Sequence, residues 1–303
     1  AAKVLMEGPN QYPPMPGVPE LRRAFGKGSM RRMTAGGGRR KAALVALSGV
    51  SALFLAGCSQ STIDDWKRAG YPAPSTEEGP RMLHLWTGSW IAALAVGFLV
   101  WGLIIWSIIV YRRRSDHDHA PDQVRYNLPM EIMYTIVPLI MIGGMFFFTA
   151  RDQSVLRTVN ENPDVKIGVV GFRWSWTFNY VDQNTYEVGT PGGQGPVMYL
   201  PIDKSVTFEL TSPDVIHSFW VPTFLEKLDV IPGRTNKMTV TPNKLGTFRG
   251  KCAELCGVDH SRMLFTVKVV TQQEFDAHMQ ELRAKGQFGQ LTSGRTTESA
   301  QGV

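Results

Sequence analysis

The stretch Gly250 to Met263, GKCAELCGVDHSRM, places Cys252, Cys256, His260 and Met263 in one short loop. A further histidine, His217, lies upstream in TSPDVIHSFW, residues 211 to 220. Two thiolates, two imidazoles and a thioether form a soft donor set, suited to copper rather than to the hard cations that prefer oxygen. A mononuclear copper site of the electron-transfer kind uses two His, one Cys and a weak axial Met. Here a second Cys is added in the same loop, close enough for both sulfurs to reach one point. Two thiolates that each bridge two metals would hold a pair of copper ions together. One electron shared over both ions changes bond lengths little on reduction. Spacing alone leaves other chemistries open, because paired cysteines outside the cytoplasm commonly form a disulfide, and Cys2His2 is a tetrahedral zinc set. Met263 favours copper, since neither zinc nor a disulfide uses a thioether.

Working outward from the loop, the pattern from Val165 onward has a period of two. Apolar and β-branched runs at Val165 to Val170, Phe172 to Tyr180, Val206 to Thr211, Lys237 to Thr241 and Leu264 to Val270 are separated by Gly, Pro, Asn and Asp. This is the signature of an all-β sandwich or barrel. Gly192 to Pro196, GGQGP, cannot continue a strand and reads as a loop. In FRWSWTFNY the residues Phe172, Trp174, Trp176, Phe178 and Tyr180 alternate, so they face one way as core or surface. The chain closes with a short helix: Thr271 and Glu274 read as a capping box, Phe275, Met279 and Leu282 share a side, and Gly286 ends it. A polar tail follows to Val303.

Upstream of the β region lie two apolar runs, Leu83 to Val110 and Pro129 to Ala150, each long enough to cross a bilayer. Trp86 and Trp90 sit at the start of the first, where aromatic rings favour the interface. Arg112, Arg113, Arg114 and Arg125 between the spans assign that loop to the cytoplasm by the positive-inside rule. Both chain ends then lie outside. The alternating Asp116 to His119 in this loop has no fixed geometry for a metal and reads as a solvated segment, and His84 and His278 read as equally incidental. Glu131, at the start of the second span, is a functional candidate because intramembrane carboxylates are costly.

The net charge of +6 over 303 residues does not signal a nucleic-acid partner, because the surplus lies before Cys58 and the remainder is close to neutral. Arg39, Arg40 and Lys41 precede an apolar run that ends in Leu-Ala-Gly-Cys at Cys58, the layout of a secretory signal. That ending resembles the lipobox of bacterial lipoproteins, which implies lipidation of Cys58 and removal of residues 1–57. The run is too short for a third span. The expected organisation is a leader over 1–57, a lipidated linker over 58–82 and a first span over 83–111. A cytoplasmic loop over 112–128, a second span over 129–151, an extracytoplasmic domain over 152–271 and a helix with its tail over 272–303 complete it.

The segments DVIHSFWVP, DVIPGRTN and CAELCGVDHSRM, in this order behind two spans, resemble subunit II of the haem-copper cytochrome c oxidases of bacteria, the aa3 type. The resemblance implies a two-helix transmembrane hairpin followed by a cupredoxin-like Greek-key sandwich. In it the ligand loop joins two late strands, and His217 arrives from a neighbouring loop. It further implies a dinuclear copper A centre held by His217, Cys252, Cys256, His260, Met263 and the backbone carbonyl of Glu254, whose carboxylate would help hold a magnesium ion shared with subunit I. Trp174 would take electrons from cytochrome c, and Glu131 would serve the entrance of a proton pathway in subunit I. Ser175, Phe178 and Asn179 depart from the commoner aromatic pattern around Trp174. The implied partners are subunit I, which carries the haem, subunit III, a cytochrome c or cytochrome bc complex as donor, and membrane lipid. No Cys-x-x-Cys-His is present, so no c-type haem is attached to the tail. Two rival readings are a quinol oxidase subunit II, which would lack Cys252 and Cys256, and a membrane-anchored copper carrier, which would not need the hairpin with Glu131.

Overall fold

The computed structural model describes residues 59–112, 125–193 and 195–293. Cys58 with the leader, the Asp116 to His119 stretch and residues 294–303 lie outside the described residues.

Two long helices, α2 (Gly79–Val110) and α3 (Leu128–Leu156), carry the apolar runs. Pro80 and Pro129 stand in their first turns, where a missing N–H forfeits no helical bond. Asn127 caps α3, its side chain accepting from the Met130 N–H at 3.3 Å. None of the most apolar window of either helix is buried within the chain, and both are long and apolar enough to cross a membrane. Such a surface is stable only where lipid or other apolar groups cover it. At 32 and 29 residues the helices measure roughly 48 and 44 Å, more than a bilayer core requires.

Their extra length lies partly beside the β domain. Helix α3 runs past Arg151 and Asp152, which sequence reading took as its end. The reason is that Asp152 turns inward and is buried, accepting Arg151 at 2.9 Å and Arg81 of α2 at 3.2 Å.

The segment before α2 is more structured than a linker. It contains a polar helix, α1 (Gln60–Lys67), and then a strap along the sandwich. In the strap, the Ser75 N–H donates to Thr223 O at 2.9 Å, the Glu77 N–H donates to Thr241 O at 2.9 Å, and Asn243 returns a bond to Ser75 O at 3.0 Å. Six backbone groups that would otherwise need water are thereby paired.

The β domain is a two-layer sandwich. Strands β1 (Val165–Phe172), β2 (Ser175–Tyr180), β3 (Thr185–Val188), β5 (Val206–Thr211) and β8 (Asn236–Val240) form one sheet in the order β3-β2-β1-β5-β8. Strands β4 (Val197–Pro201), β6 (His217–Val221), β7 (Glu226–Val230), β9 (Gly246–Cys252) and β10 (Leu264–Val270) form the other in the order β4-β10-β9-β6-β7. Most neighbours are antiparallel, but β1 pairs with β5 and β4 with β10 in parallel, because the chain crosses repeatedly between the two layers. Trp176, Phe208, Phe219 and Phe265 fill the space between the sheets, with the Trp176 and Phe265 rings 5.3 Å apart and those of Phe219 and Phe265 5.0 Å apart.

The aromatic run is not one strand. A turn at Arg173 and Trp174 separates β1 from β2, so Phe172 ends one strand and only Trp176, Phe178 and Tyr180 share the core face of the next. The opposite face of β2 is buried as well, because the tail lies across it: Asn179 accepts from Leu291 N at 2.7 Å.

Helix α4 (Gln272–Ala284) has the expected capping box between Thr271 and Glu274, and Phe275, Met279 and Leu282 are buried. His278 is not incidental: it is buried and stacks on Tyr199 with ring centroids 3.7 Å apart.

Candidate metal centre

The putting together of the donors follows from three elements at one end of the sandwich. His217 opens β6, Cys252 closes β9, and the loop to Met263 leads into β10. His217 therefore stands at the start of a strand and not in a loop. The Cys252 N–H donates to Met263 O at 3.0 Å, which pins the two ends of the ligand loop together. A short 3-10 turn, His260 to Arg262, then brings the imidazole back toward the sulfurs.

The two thiols are buried, free and 3.9 Å apart, so they face one another without a bond. Donor atoms of His217, Cys252 and Cys256 all lie within 4.8 Å of one another. His217 Nδ1 is 3.9 Å from Cys252 Sγ, and His260 Nδ1 is 3.5 Å from Cys256 Sγ. Met263 Sδ lies 3.8 Å from Cys256 Sγ, and Glu254 O lies 3.3 Å from Cys252 Sγ. Each sulfur thus has one imidazole and one weak donor of its own. Two half-sites of similar make-up, one with a thioether and one with a carbonyl, sharing a pair of sulfurs fit two soft ions better than the single tetrahedron that zinc prefers. The donor set fits copper.

Asp214, for which the sequence gives no role, stands beside His217. Its Oδ1 lies 2.9 Å from His217 Nε2. A carboxylate only accepts, so that nitrogen carries the proton and Nδ1 turns its lone pair toward the sulfurs. Burial alone would raise the Asp214 carboxyl, but the Arg173 N–H at 2.8 Å, His217 and the Val215 N–H at 2.6 Å outweigh it and hold it ionised below its ordinary range. Burial lowers the His217 imidazole despite this partner, which keeps it neutral and able to ligate. Burial, with Cys252 beside it, pushes the Cys256 thiol up to about 12, so a metal must displace a proton to bind. The i, i+3 spacing of Asp214 and His217 was visible, but not which ring nitrogen faced which partner.

Trp174 is half-buried at the rim. Its indole N–H donates to Cys256 O at 3.1 Å, so the ring is bonded to a ligand residue itself. The contact requires Gly257, where an added Cβ would fall 2.9 Å from Trp174 Nε1 and where φ is +123°. Glu254 presents its carbonyl inward and its side chain outward, exposed. Glu131 belongs to a different place, the first turn of α3 at the end remote from Asp152, where its carboxylate accepts from the Asn127 N–H at 3.1 Å.

A family model described as cytochrome C oxidase subunit II, periplasmic domain, matches residues 195–270. A Streptomyces coelicolor protein named "Probable cytochrome c oxidase subunit 2" is 48% identical over 279 residues, spanning 80% of this chain and 88% of the relative. Cytochrome c oxidase subunit 2 of Mycobacterium tuberculosis is 33% identical over 304 residues, spanning 80% and 82%. Among solved structures, the periplasmic domain of subunit II of cytochrome oxidase from Bradyrhizobium japonicum is similar at 32% identity, covering 42% of this chain and 99% of that one with a TM-score of 0.39. Identity of this extent over four fifths of the chain is more than the sandwich alone could supply, and by it the chain belongs to the cytochrome c oxidase subunit II family.

Proposed function

We propose that this chain accepts electrons from a cytochrome c, or from a cytochrome bc complex, and delivers them to haem in subunit I, where dioxygen is reduced to water and protons cross the membrane. The observation that carries the reading is the pair of buried, unbonded thiols with an imidazole and a weak donor for each. His217, Cys252, Cys256, His260, Met263 and the Glu254 carbonyl would hold two copper ions. When bound, that pair supplies a one-electron relay whose charge is spread over both ions.

The residues around it do the rest. Asp214 fixes the His217 tautomer, the buried side chains of His217, Cys252, Cys256 and Met263 keep the donors away from water, and both features limit rearrangement of the ligands. Trp174 is the point where electrons enter, being at the rim and hydrogen bonded to Cys256 O. The outward Glu254 carboxylate suits magnesium, a hard cation with few protein ligands, at the contact with subunit I. Glu131 serves a proton path into subunit I from the cytoplasmic end of α3. The hairpin is inserted with the sandwich and both mature ends outside, beside subunits I and III, and lipid on Cys58 adds an anchor.

The test is the rate at which reduced cytochrome c reduces the copper-loaded chain. Trp174→Ala is expected to slow that step by orders of magnitude while copper content and visible spectrum stay as in the wild type. An unchanged rate contradicts the role of Trp174, and a wild-type chain that neither reduced cytochrome c nor a reduced cytochrome bc complex can reduce contradicts the function.

A further inference from the structure

A cleft of about 470 Å³ opens between α2 and α3 near the end that faces the sandwich. Its floor is built from small or unbranched residues, Gly88 and Ala92 on α2 with Gly144 and Met145 on α3. An added Cβ at Gly88 or Gly144 would meet no atom within 4 Å, so the missing side chains leave real space. The mouth is different in kind. His84, Arg151 and Asp152 stand there, and the Asp152 carboxylate is only 5% exposed while it accepts from both Arg151 and Arg81.

One carboxylate cannot neutralise two guanidiniums. The surplus positive charge is directed outward, since the Arg81 and Arg151 side chains remain 42% and 53% exposed. Arg151 is further held over the Phe148 ring, 5.2 Å from its centroid. A buried acid thus fixes Arg151 at the mouth of an apolar trough, with Arg81 bonded to the same carboxylate just outside the lining. From His84 to Ala92 the trough extends roughly 12 Å along α2, the depth of the upper part of one bilayer leaflet.

We propose that this cleft binds one anionic phospholipid, its phosphate paired with Arg151 and Arg81 and an acyl chain lying over Gly88, Ala92 and Gly144. Guanidinium matches phosphate oxygens in a fork geometry, which suits an arginine at the end of an apolar trough to a lipid headgroup. The trough is continuous with the lipid-facing surface of both helices, and its charge is complementary to a phosphate. A partner helix seated there would have to bring its own buried acid to the mouth. The inference depends on the hairpin being in a membrane and not on the electron relay.

Native mass spectrometry of the full chain, released from detergent with phosphatidylglycerol or phosphatidylcholine of equal acyl length, tests it. One phosphatidylglycerol is expected to be retained in clear preference. Arg151→Gln should weaken that retention about tenfold, the worth of one charge-assisted hydrogen bond. Gly144→Leu projects into the floor from a Cβ position that meets no atom within 4 Å, and should reduce retention of both lipids. Circular dichroism of each variant must match the wild type, so that lost binding is not lost folding. Equal retention of the two lipids, unchanged retention in both variants, or disappearance of the bound phosphatidylglycerol on assembly with subunit I would overturn the proposal, the last by giving the cleft to a partner helix.

Discussion

The hairpin and the sandwich use the same residue types with opposite sense. Phe98 of α2 is 75% exposed, whereas Phe208, Phe219 and Phe265 of the sandwich are almost wholly buried. One region therefore depends on a surrounding apolar solvent, and the other carries its apolar solvent inside. The consequence for function is a division of labour. The sandwich can gather six donor groups, each within 4 Å of at least one of the two sulfurs, because its packed aromatic core fixes three strand ends. The hairpin has only a few polar fixtures, chiefly Asp152 with its two arginines and the Asn127 cap, and these mark its ends.

The largest expected effect separates the two regions outright. Cys256→Ser removes a shared thiolate, and copper analysis with paramagnetic resonance should find no pair of ions, while the sandwich still folds and the hairpin is untouched. A paired signal retained in that variant would break the distinction. Next, Trp176→Ala should destabilise the sandwich by about 3–5 kcal/mol through the cavity it leaves, measured by denaturant unfolding. Phe98→Ala should leave the same transition within about 0.5 kcal/mol, as for other changes away from a core. Asp214→Asn sharpens the comparison inside the site: loss of the carboxylate that orients His217 should cost about 10- to 100-fold in copper affinity, read by competitive chelation, with the fold unaltered.

What could be read from the residues differs between the two regions for a physical reason. An apolar helix in lipid needs no partner to be recognised, so both spans were legible from hydropathy, although their ends were not. The end of α3 moved because Asp152 pairs with Arg81, seventy-one positions away. In the sandwich, β1, β5, β8 and β10 show their alternation plainly, but β9 reads GTFRGKC and hides it. Gly250 is there because the Phe265 ring occupies the space of its side chain, 2.0 Å from where a Cβ would stand. Helix α1 went unseen because it buries nothing. The candidate donors were legible as a group because soft side chains at that spacing have few other uses. The contact of Asp214 was not, since it depends on which way an imidazole turns.

A pH-dependent effect lies where sandwich and strap meet. Burial, reinforced by Glu78, raises the Glu226 carboxyl to about 7 from an ordinary 4.5. The folded state then holds a proton that the unfolded state has released, so this group makes stability fall as pH rises from about 4.5 through 7. Below that window it imposes no penalty. Glu226→Gln should accordingly gain about 1–2 kcal/mol above pH 7, after allowance for the water that still reaches the carboxyl, and nothing near pH 4. Unfolding curves at the two pH values check the sign. An equal gain at both would mean that packing, and not ionisation, is responsible.

The central claim is that the sulfurs of Cys252 and Cys256 together hold two ions that share one electron. Paramagnetic resonance of the copper-loaded chain, combined with metal analysis, tests it most directly. The account predicts two coppers per chain and one unpaired electron spread equally over both. A single copper, zinc in its place, or a disulfide between Cys252 and Cys256 in the working protein would contradict it.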